Sequence, residues 1–247
     1  MRSDYHLEKL SSWWVWGTIV NIIEEHGWTT PFVMARCLWW FLAARVLRSA
    51  DFSFGGKNFR YCSQIPNKAF ANERTVEVPI ALGLFPLSGR ILEIGNVLGQ
   101  YHAFKHIVVD KYEQSEDIIN TDIIDYSPSE KYDLILSVST FEHIGFDESI
   151  KDSLKVDRAV DKAKQLLAPG GRFLMTIPIA WNPDLDKKLA SLGFTALMFM
   201  KRTDSNNEWR ETTSEDALWR QYGKPYICAN AIAVCIYENK VPAAIAN

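Results

Sequence analysis

The stretch Arg90-Ile-Leu-Glu-Ile-Gly-Asn-Val-Leu-Gly-Gln-Tyr101 decides how this chain is read. Ile91 to Ile94 reads as a short buried strand. Gly95 and Gly99 follow at once, four positions apart, and Glu93 sits two positions before the first glycine. An apolar strand, an acid and a glycine turn, in that order, are how an open α/β sheet makes room for a nucleotide-like ligand beyond a strand's carboxyl end. Glycine lets the backbone turn sharply and approach such a ligand closely.

From this stretch onward the chain alternates between strand and helix patterns. Glu73–Leu82 reads as a helix before the first strand. His106–Asp110, Asp117–Asn120 and Tyr132–Ser139 read as further strands. Arg158–Leu167 carries Ala159, Val160, Ala163, Leu166 and Leu167 at helical spacing, and Pro169-Gly170-Gly171 is expected to stop that helix. Arg172–Ala180 is nearly continuous in apolar residues, as a central strand should be. Thr195–Lys201 and Asn230–Tyr237 supply two more strands. The expected organisation is a helical extension or lid with a connecting loop or hairpin over residues 1–72, and an open α/β domain over 73–247.

Composition narrows the partners. With 27 basic against 30 acidic residues, the net charge of -3 gives no reason to expect a nucleic-acid partner, because phosphate binding needs a basic surface. Cys37, Cys62, Cys228 and Cys235 are scattered, which argues for a reducing, cytoplasmic compartment and against a disulfide framework or thiolate metal site. No secretion signal pattern is seen at the start. Six of the nine tryptophans fall in the first 40 residues, beside the apolar run Pro31 to Leu47. Arg36 and Arg45 interrupt that run, and a central arginine opposes insertion by roughly 2.5 kcal/mol, so a membrane span is not expected. Two readings stay open there: a lid packed on the main domain, or peripheral membrane contact through Trp and Arg.

The residues at the strand ends describe a ligand. Asp110 falls 15 residues after Gly95, at the end of the second strand, where a carboxylate faces ribose hydroxyls. Thr121-Asp122-Ile123 ends the third strand. An acid followed by an apolar residue suits adenine, with Asp122 accepting from the amino group and Ile123 covering a ring face. Neither phosphate-binding glycine motif is present, so the pattern is an adenosine pocket without phosphate ligands. An NAD-type oxidoreductase would want such a loop, which Val97 and Tyr101 spoil.

Leu92-Glu-Ile-Gly-Asn-Val-Leu-Gly99, Val109-Asp110, Thr121-Asp122-Ile123, Tyr132-Asp-Leu-Ile-Leu-Ser137 and Leu167-Ala-Pro-Gly-Gly-Arg-Phe173 together resemble the successive motifs of class I S-adenosylmethionine-dependent methyltransferases. The resemblance covers roughly residues 73 to 180, with a tail to 238. It implies a Rossmann-like, seven-stranded, mostly parallel sheet whose last strand, Asn230–Tyr237, is reversed. It implies S-adenosyl-L-methionine as cofactor. Glu93, Gly95, Asn96 and Gly99 would shape the pocket for the methionine part, and Asp110 with Lys111 would face the ribose. Asp122 and Ile123 would take the adenine, and Ser137, Val138 and Ser139 would line the pocket after the fourth strand. One departure is clear: Val97 stands where the family's loop has its middle glycine. With Glu73-Arg-Thr-Val-Glu-Val-Pro79 upstream, the narrower form looks like methyltransferases of cell-surface glycan or secondary-metabolite clusters.

His143, in Thr140-Phe-Glu-His-Ile144, is the general-base candidate, because histidine can accept a proton near neutral pH. The alternative is that it only caps or packs at the next helix. A divalent-metal site is not expected: some O-methyltransferases place Glu-x-x-Glu-His here, but the first acid is Ser139, leaving only Glu142 and His143. Glu73 and Arg74 either reach the cofactor's carboxylate or pair on the helix surface. Asp184 and Asp186 suit a helix start, and the Trp209–Tyr222 segment covers substrate or simply packs. The expected function is methyl transfer to a hydroxyl of a small molecule, sugar or glycolipid. A non-catalytic nucleoside sensor or scaffold is the alternative.

Overall fold

The computed structural model describes residues 49–240 other than Ile65, together with Phe32, Ala35, Leu38, Trp39 and Leu42, which are helical and exposed. The choice between lid and membrane contact for the Trp-rich amino terminus therefore lies outside the described residues.

Ile91–Ile94 forms a strand buried at all four positions, β3, and the sheet is built outward from it. On one side lie β4 (Ile107–Asp110) and β5 (Ile118–Asn120), and on the other β6 (Tyr132–Val138) and β7 (Leu167–Pro178), all parallel. Beyond β7 come β10 (Ala231–Glu238), β8 (Ala196–Arg202) and β9 (Trp209–Thr212). The order is β5-β4-β3-β6-β7-β10-β8-β9, with β10 antiparallel to both neighbours. This is a Rossmann-like α/β fold with a reversed β10, as expected. The sheet has eight strands rather than seven, because Trp209–Thr212 pairs with β8 as an outer strand.

Side chains alternate between two cores, one on each face of the sheet. Leu134, Leu136 and Val138 of β6 pack with Val76, Val78 and Ile80 of helix α1 (Arg74–Gly83). On the other face, Leu92, Ile94 and Ile135 pack with Val156, Ala159, Val160 and Ala163 of helix α2 (Lys155–Gln165) and with Leu185 of the short helix α3 (Pro183–Lys188). Burying those four residues of α2 on one face supplies its stability, since isolated helices of this length are marginal. The helix starts three residues before the sequence pattern suggested, because Val156 already belongs to the buried stripe.

One further expectation needs correction. Pro169-Gly170-Gly171 does not end the helix, which stops at Gln165, but lies inside the 12-residue strand β7. Tyr132 pairs with Leu167 and Leu134 with Arg172, so the segment between them bulges out opposite a much shorter piece of β6. A Cβ on Gly171 would sit 2.8 Å from the Tyr132 carbonyl oxygen, and the strand passes only because there is none. Asn239 closes the bulge, donating from its N–H to the Gly171 carbonyl and accepting from the Gly170 N–H. For residues 51–60 the sequence leaves loop and hairpin open. They form a hairpin of β1 (Asp51–Phe54) and β2 (Lys57–Arg60) whose Phe52, Phe54 and Phe59 enter the same core as α1. Its turn places Gly55 and Gly56 at φ +57° and +73°, as two-residue hairpin turns require.

Candidate functional site

The connections diverge from β3, one way to β4 and back across to β6, and an open α/β sheet binds its ligands at such a switch point. A cavity of about 410 Å³ lies there, within the range of small-molecule sites. It is lined by residues just beyond four parallel strands: Gly95, Asn96 and Val97 after β3; Asp110, Lys111 and Tyr112 at β4; Thr121, Asp122 and Ile123 after β5; and Ser139, Thr140, His143, Asp147 and Glu148 after β6.

Of the residues expected at this site, Gly95, Asn96, Asp110, Lys111, Asp122, Ile123, Ser139 and His143 thus meet on one cavity. Glu93, Gly99, Ser137 and Val138 do not line it. Glu93 is fully buried beneath the turn, and its Oε1 accepts the N–H groups of Val97 at 2.7 Å and Leu98 at 2.6 Å. It braces the loop from below instead of facing a ligand. Ser137 donates to the Ile94 carbonyl at 2.8 Å and ties β6 to β3. A Cβ on Gly99 would meet Asn96 Oδ1 at 3.7 Å, an ordinary contact, so no steric demand fixes that glycine.

Gly95 is different. It sits at φ +86°, and a Cβ there would lie 2.3 Å from Thr140 Oγ1. Val97, by contrast, has φ -115° and ψ -52°, a region open to a β-branched residue. Its side chain is buried in the core with Leu98 and Tyr101. The missing middle glycine therefore leaves the turn unstrained.

Asp110 Oδ1 accepts from the N–H groups of Tyr112 and Glu113, both at 2.8 Å, while Oδ2 has no hydrogen-bond partner among the described residues. The carboxylate is thus oriented by its own turn, with one oxygen left for a ligand. Asp122 is more occupied than its expected adenine role allows for. Its Oδ2 meets Lys155 Nζ at 2.7 Å and Lys111 Nζ at 3.2 Å, and its Oδ1 accepts from the Ile124 N–H at 3.2 Å. Glu148 accepts from the same two lysines, at 2.8 Å from Lys111 and 2.6 Å from Lys155. Burial works against the charge of Asp122, but the lysines and the Ile124 N–H outweigh it and hold its carboxyl below the ordinary value. Lys111 thereby joins the β4 end of the cavity to the segment after β6. This network is not legible in sequence, because Lys155 and Glu148 lie far from Asp122 along the chain.

Ser139 has φ +41° and donates to Glu77 of α1 at 2.8 Å. Behind it lie Glu73, Glu77 and Glu142, all buried, with Arg74 paired to Glu77 at 3.2 Å. Glu73 Oε2 accepts from the Ala229 N–H, so neither it nor Arg74 forms the surface pair that sequence allowed for. Burial, reinforced by Glu77 and Glu73, pushes the Glu142 carboxyl well above its ordinary range despite Arg74. Among the described residues, no group of three or more His, Cys, Asp or Glu side chains is placed to hold a metal ion.

His143 closes a one-turn 3-10 helix, Phe141–His143, and its side chain is 46% exposed, so it is not packed away. Its Nδ1 lies 2.5 Å from Asp147 Oδ2, which also accepts from the Trp181 indole N–H at 3.0 Å. Asp147 and Trp181 escaped the sequence reading because neither belongs to a motif. Asp184 and Asp186 open α3, where Asn182 accepts from the Asp184 and Leu185 N–H groups, and neither lines the cavity.

The strand order, the reversed β10 and the cavity at the strand ends make a Rossmann-like α/β fold of the kind that the methyltransferase resemblance implies. Among solved structures, the chain is similar to N-methyltransferase NodS from Bradyrhizobium japonicum WM9 in complex with S-adenosyl-L-homocysteine, at 14% identity over 61% of this chain and 77% of that one, with a TM-score of 0.39. It is also similar to a SAM-dependent methyltransferase from Thermotoga maritima, at 15% identity over 89% and 99%, with a TM-score of 0.43. A third is 1,6-didemethyltoxoflavin-N1-methyltransferase from Burkholderia thailandensis, at 12% identity over 61% and 70%, with a TM-score of 0.39. These likenesses are distant, and the fold assignment rests on the strand order itself. No family model and no curated protein matches the chain.

Proposed function

We propose that this protein is an S-adenosylmethionine-dependent methyltransferase that places the methyl group on a hydroxyl of a small molecule, sugar or glycolipid. The observation that carries the reading is the meeting of Gly95, Asp110, Ile123 and His143 on one cavity, each at the end of a different parallel strand. Asp110 Oδ2 would accept from the ribose hydroxyls, a charge-assisted bond in a partly dry site. Ile123 would cover the adenine, and Gly95 leaves the turn open to close approach. The bound cofactor supplies an already activated methyl group. What remains for the chain is to orient the acceptor and receive its proton, and His143 would take the second task.

Calorimetry with S-adenosylhomocysteine tests the cofactor, with binding expected. Transfer of isotope from labelled S-adenosylmethionine to a panel of hydroxylated small molecules, sugars and glycolipids tests the reaction. A glycolipid acceptor would also give the Trp-rich amino terminus its peripheral membrane role.

The second reading, a non-catalytic nucleoside-ligand sensor or interaction scaffold, draws support from Asp122, whose carboxylate is already held by two lysines. Binding of S-adenosylhomocysteine without transfer to any acceptor would favour it.

A further inference from the structure

We propose that Asp147 and Trp181 are positioning residues that fix the imidazole of His143 with Nδ1 protonated, leaving Nε2 as the atom that receives the acceptor's proton. The inference rests on the reading of His143 as proton acceptor. Asp147 lies one turn beyond His143, its N–H donating to the His143 carbonyl at 3.0 Å, and this turn brings the two side chains together. A carboxylate can only accept, so the hydrogen between Nδ1 and Asp147 belongs to the ring. The nitrogen so engaged sets the tautomer, and Nε2 of the neutral ring then carries the lone pair.

Among the described residues Nε2 makes no competing bond: Glu142 Oε1 is 3.6 Å away, too far for a hydrogen bond. Both His143 and Asp147 line the cavity.

Trp181 completes the arrangement from β7's side of the site. Its indole N–H donates to the same Asp147 oxygen that holds Nδ1, so that oxygen is fixed from two directions. The indole also meets the imidazole edge to face, with ring centres 5.4 Å apart and planes at 70°. Trp181 is itself held against Tyr222 at 4.9 Å and 75°. The charged groups around the imidazole are Glu142 on its own turn and Asp147, with Lys151 acting on Asp147, and Arg74 and Glu77 of α1 with Glu73 just before it, behind Glu142. In the transfer, the acceptor oxygen bonds to the methyl carbon and the carbon–sulfur bond breaks, its electrons staying on sulfur. The hydroxyl proton ends on Nε2, and Asp147 offsets the resulting ring charge.

The ¹⁵N chemical shifts of the His143 ring, assigned with H143Q, read the tautomer directly at about pH 8, where an ordinary histidine is neutral. Wild type is expected to show the Nδ1–H form. D147A should lose that form, and W181F, which keeps the carboxylate but not its second donor, should give a mixed signal. An Nε2–H form in wild type, or an unchanged spectrum in D147A, overturns the proposal. An unchanged spectrum in W181F removes Trp181 from it. The spectrum needs no acceptor, so it stands or fails separately from methyl transfer: if H143Q transfers methyl as fast as wild type, the proton-acceptor reading falls even where the tautomer is found.

Discussion

Glu93 and His106 are joined at 2.8 Å between Oε2 and Nε2, directly beneath the turn that carries Gly95. His106 Nδ1 also lies 2.9 Å from the Phe104 carbonyl. A carbonyl and a carboxylate both accept, so the two contacts together favour the ring with both nitrogens protonated. Burial opposes that charge, but the bonds to Glu93 and Phe104 outweigh it and raise the His106 pKa.

The sign of the pH effect follows from that raised value. The brace contributes its full stability below histidine's unfolded value, near 6.5, and loses it as pH rises through the raised folded value. The melting temperature of wild type should therefore fall more steeply than that of H106Q as pH rises above histidine's ordinary value, near 6.5. Parallel curves for the two proteins would show that the brace carries no charge-dependent stability.

Gly95 and Gly99 should respond oppositely to alanine. At Gly95 the positive φ and the 2.3 Å approach to Thr140 Oγ1 act together, so G95A should cost more than about 1 kcal/mol. G99A meets nothing closer than 3.7 Å and should be neutral or slightly stabilising, by up to about 1 kcal/mol. Urea unfolding of both variants checks the contrast.

For Asp110, the proposed ribose contact makes a binding prediction. D110N keeps an acceptor for the turn but removes the charge, and hydrogen bonds to charged groups contribute about 1.5–3 kcal/mol. Affinity for S-adenosylhomocysteine should drop by roughly ten- to a hundredfold, while thermal stability without ligand changes little. Equal affinity by calorimetry would remove Asp110 from the site.

Asp186 offers a test on the acid side. It accepts from the Ala180 N–H at 2.8 Å, yet burial raises its pKa to about 6. A raised acid favours the folded state at low pH, and that contribution disappears as pH climbs from 3.8 to about 6. D186N should thus be more stable than wild type above pH 6, by up to about 3 kcal/mol at about 1.4 kcal/mol per unit, and should lose the advantage at pH 4. Guanidinium unfolding at the two pH values measures it.

Much of the fold was legible because the informative residues are close in sequence. The buried run Ile91–Ile94 and the stripe of α2 announce their elements, and the acids at strand ends announce the cavity. What was not legible depends on distance along the chain. Glu93 is a short step from Gly95, but only His106 and the N–H groups of Val97 and Leu98 reveal it as a brace. Arg202, fully buried and donating to the carbonyls of Ala71, Ile227, Asp204 and Ser205, looks in sequence like any charged residue at a strand end. In sequence the Trp209–Tyr222 segment either covers substrate or simply packs; Trp209 itself is 2% exposed, and its backbone pairs with the Tyr61 hydroxyl.

That last contact reaches beyond the site. β9 is an outermost strand of the sheet, and an outer strand presents unpaired backbone groups that can recruit another chain. The β1–β2 hairpin lies against it, with Gly55 donating to Glu211 at 3.1 Å and Tyr61 gripping Trp209. A chain cut at Glu73, where the motif-bearing domain begins, would lose this guard and bare the aromatic side of the core. A chain cut there is expected to self-associate more readily than the full chain, through the uncovered outer strand.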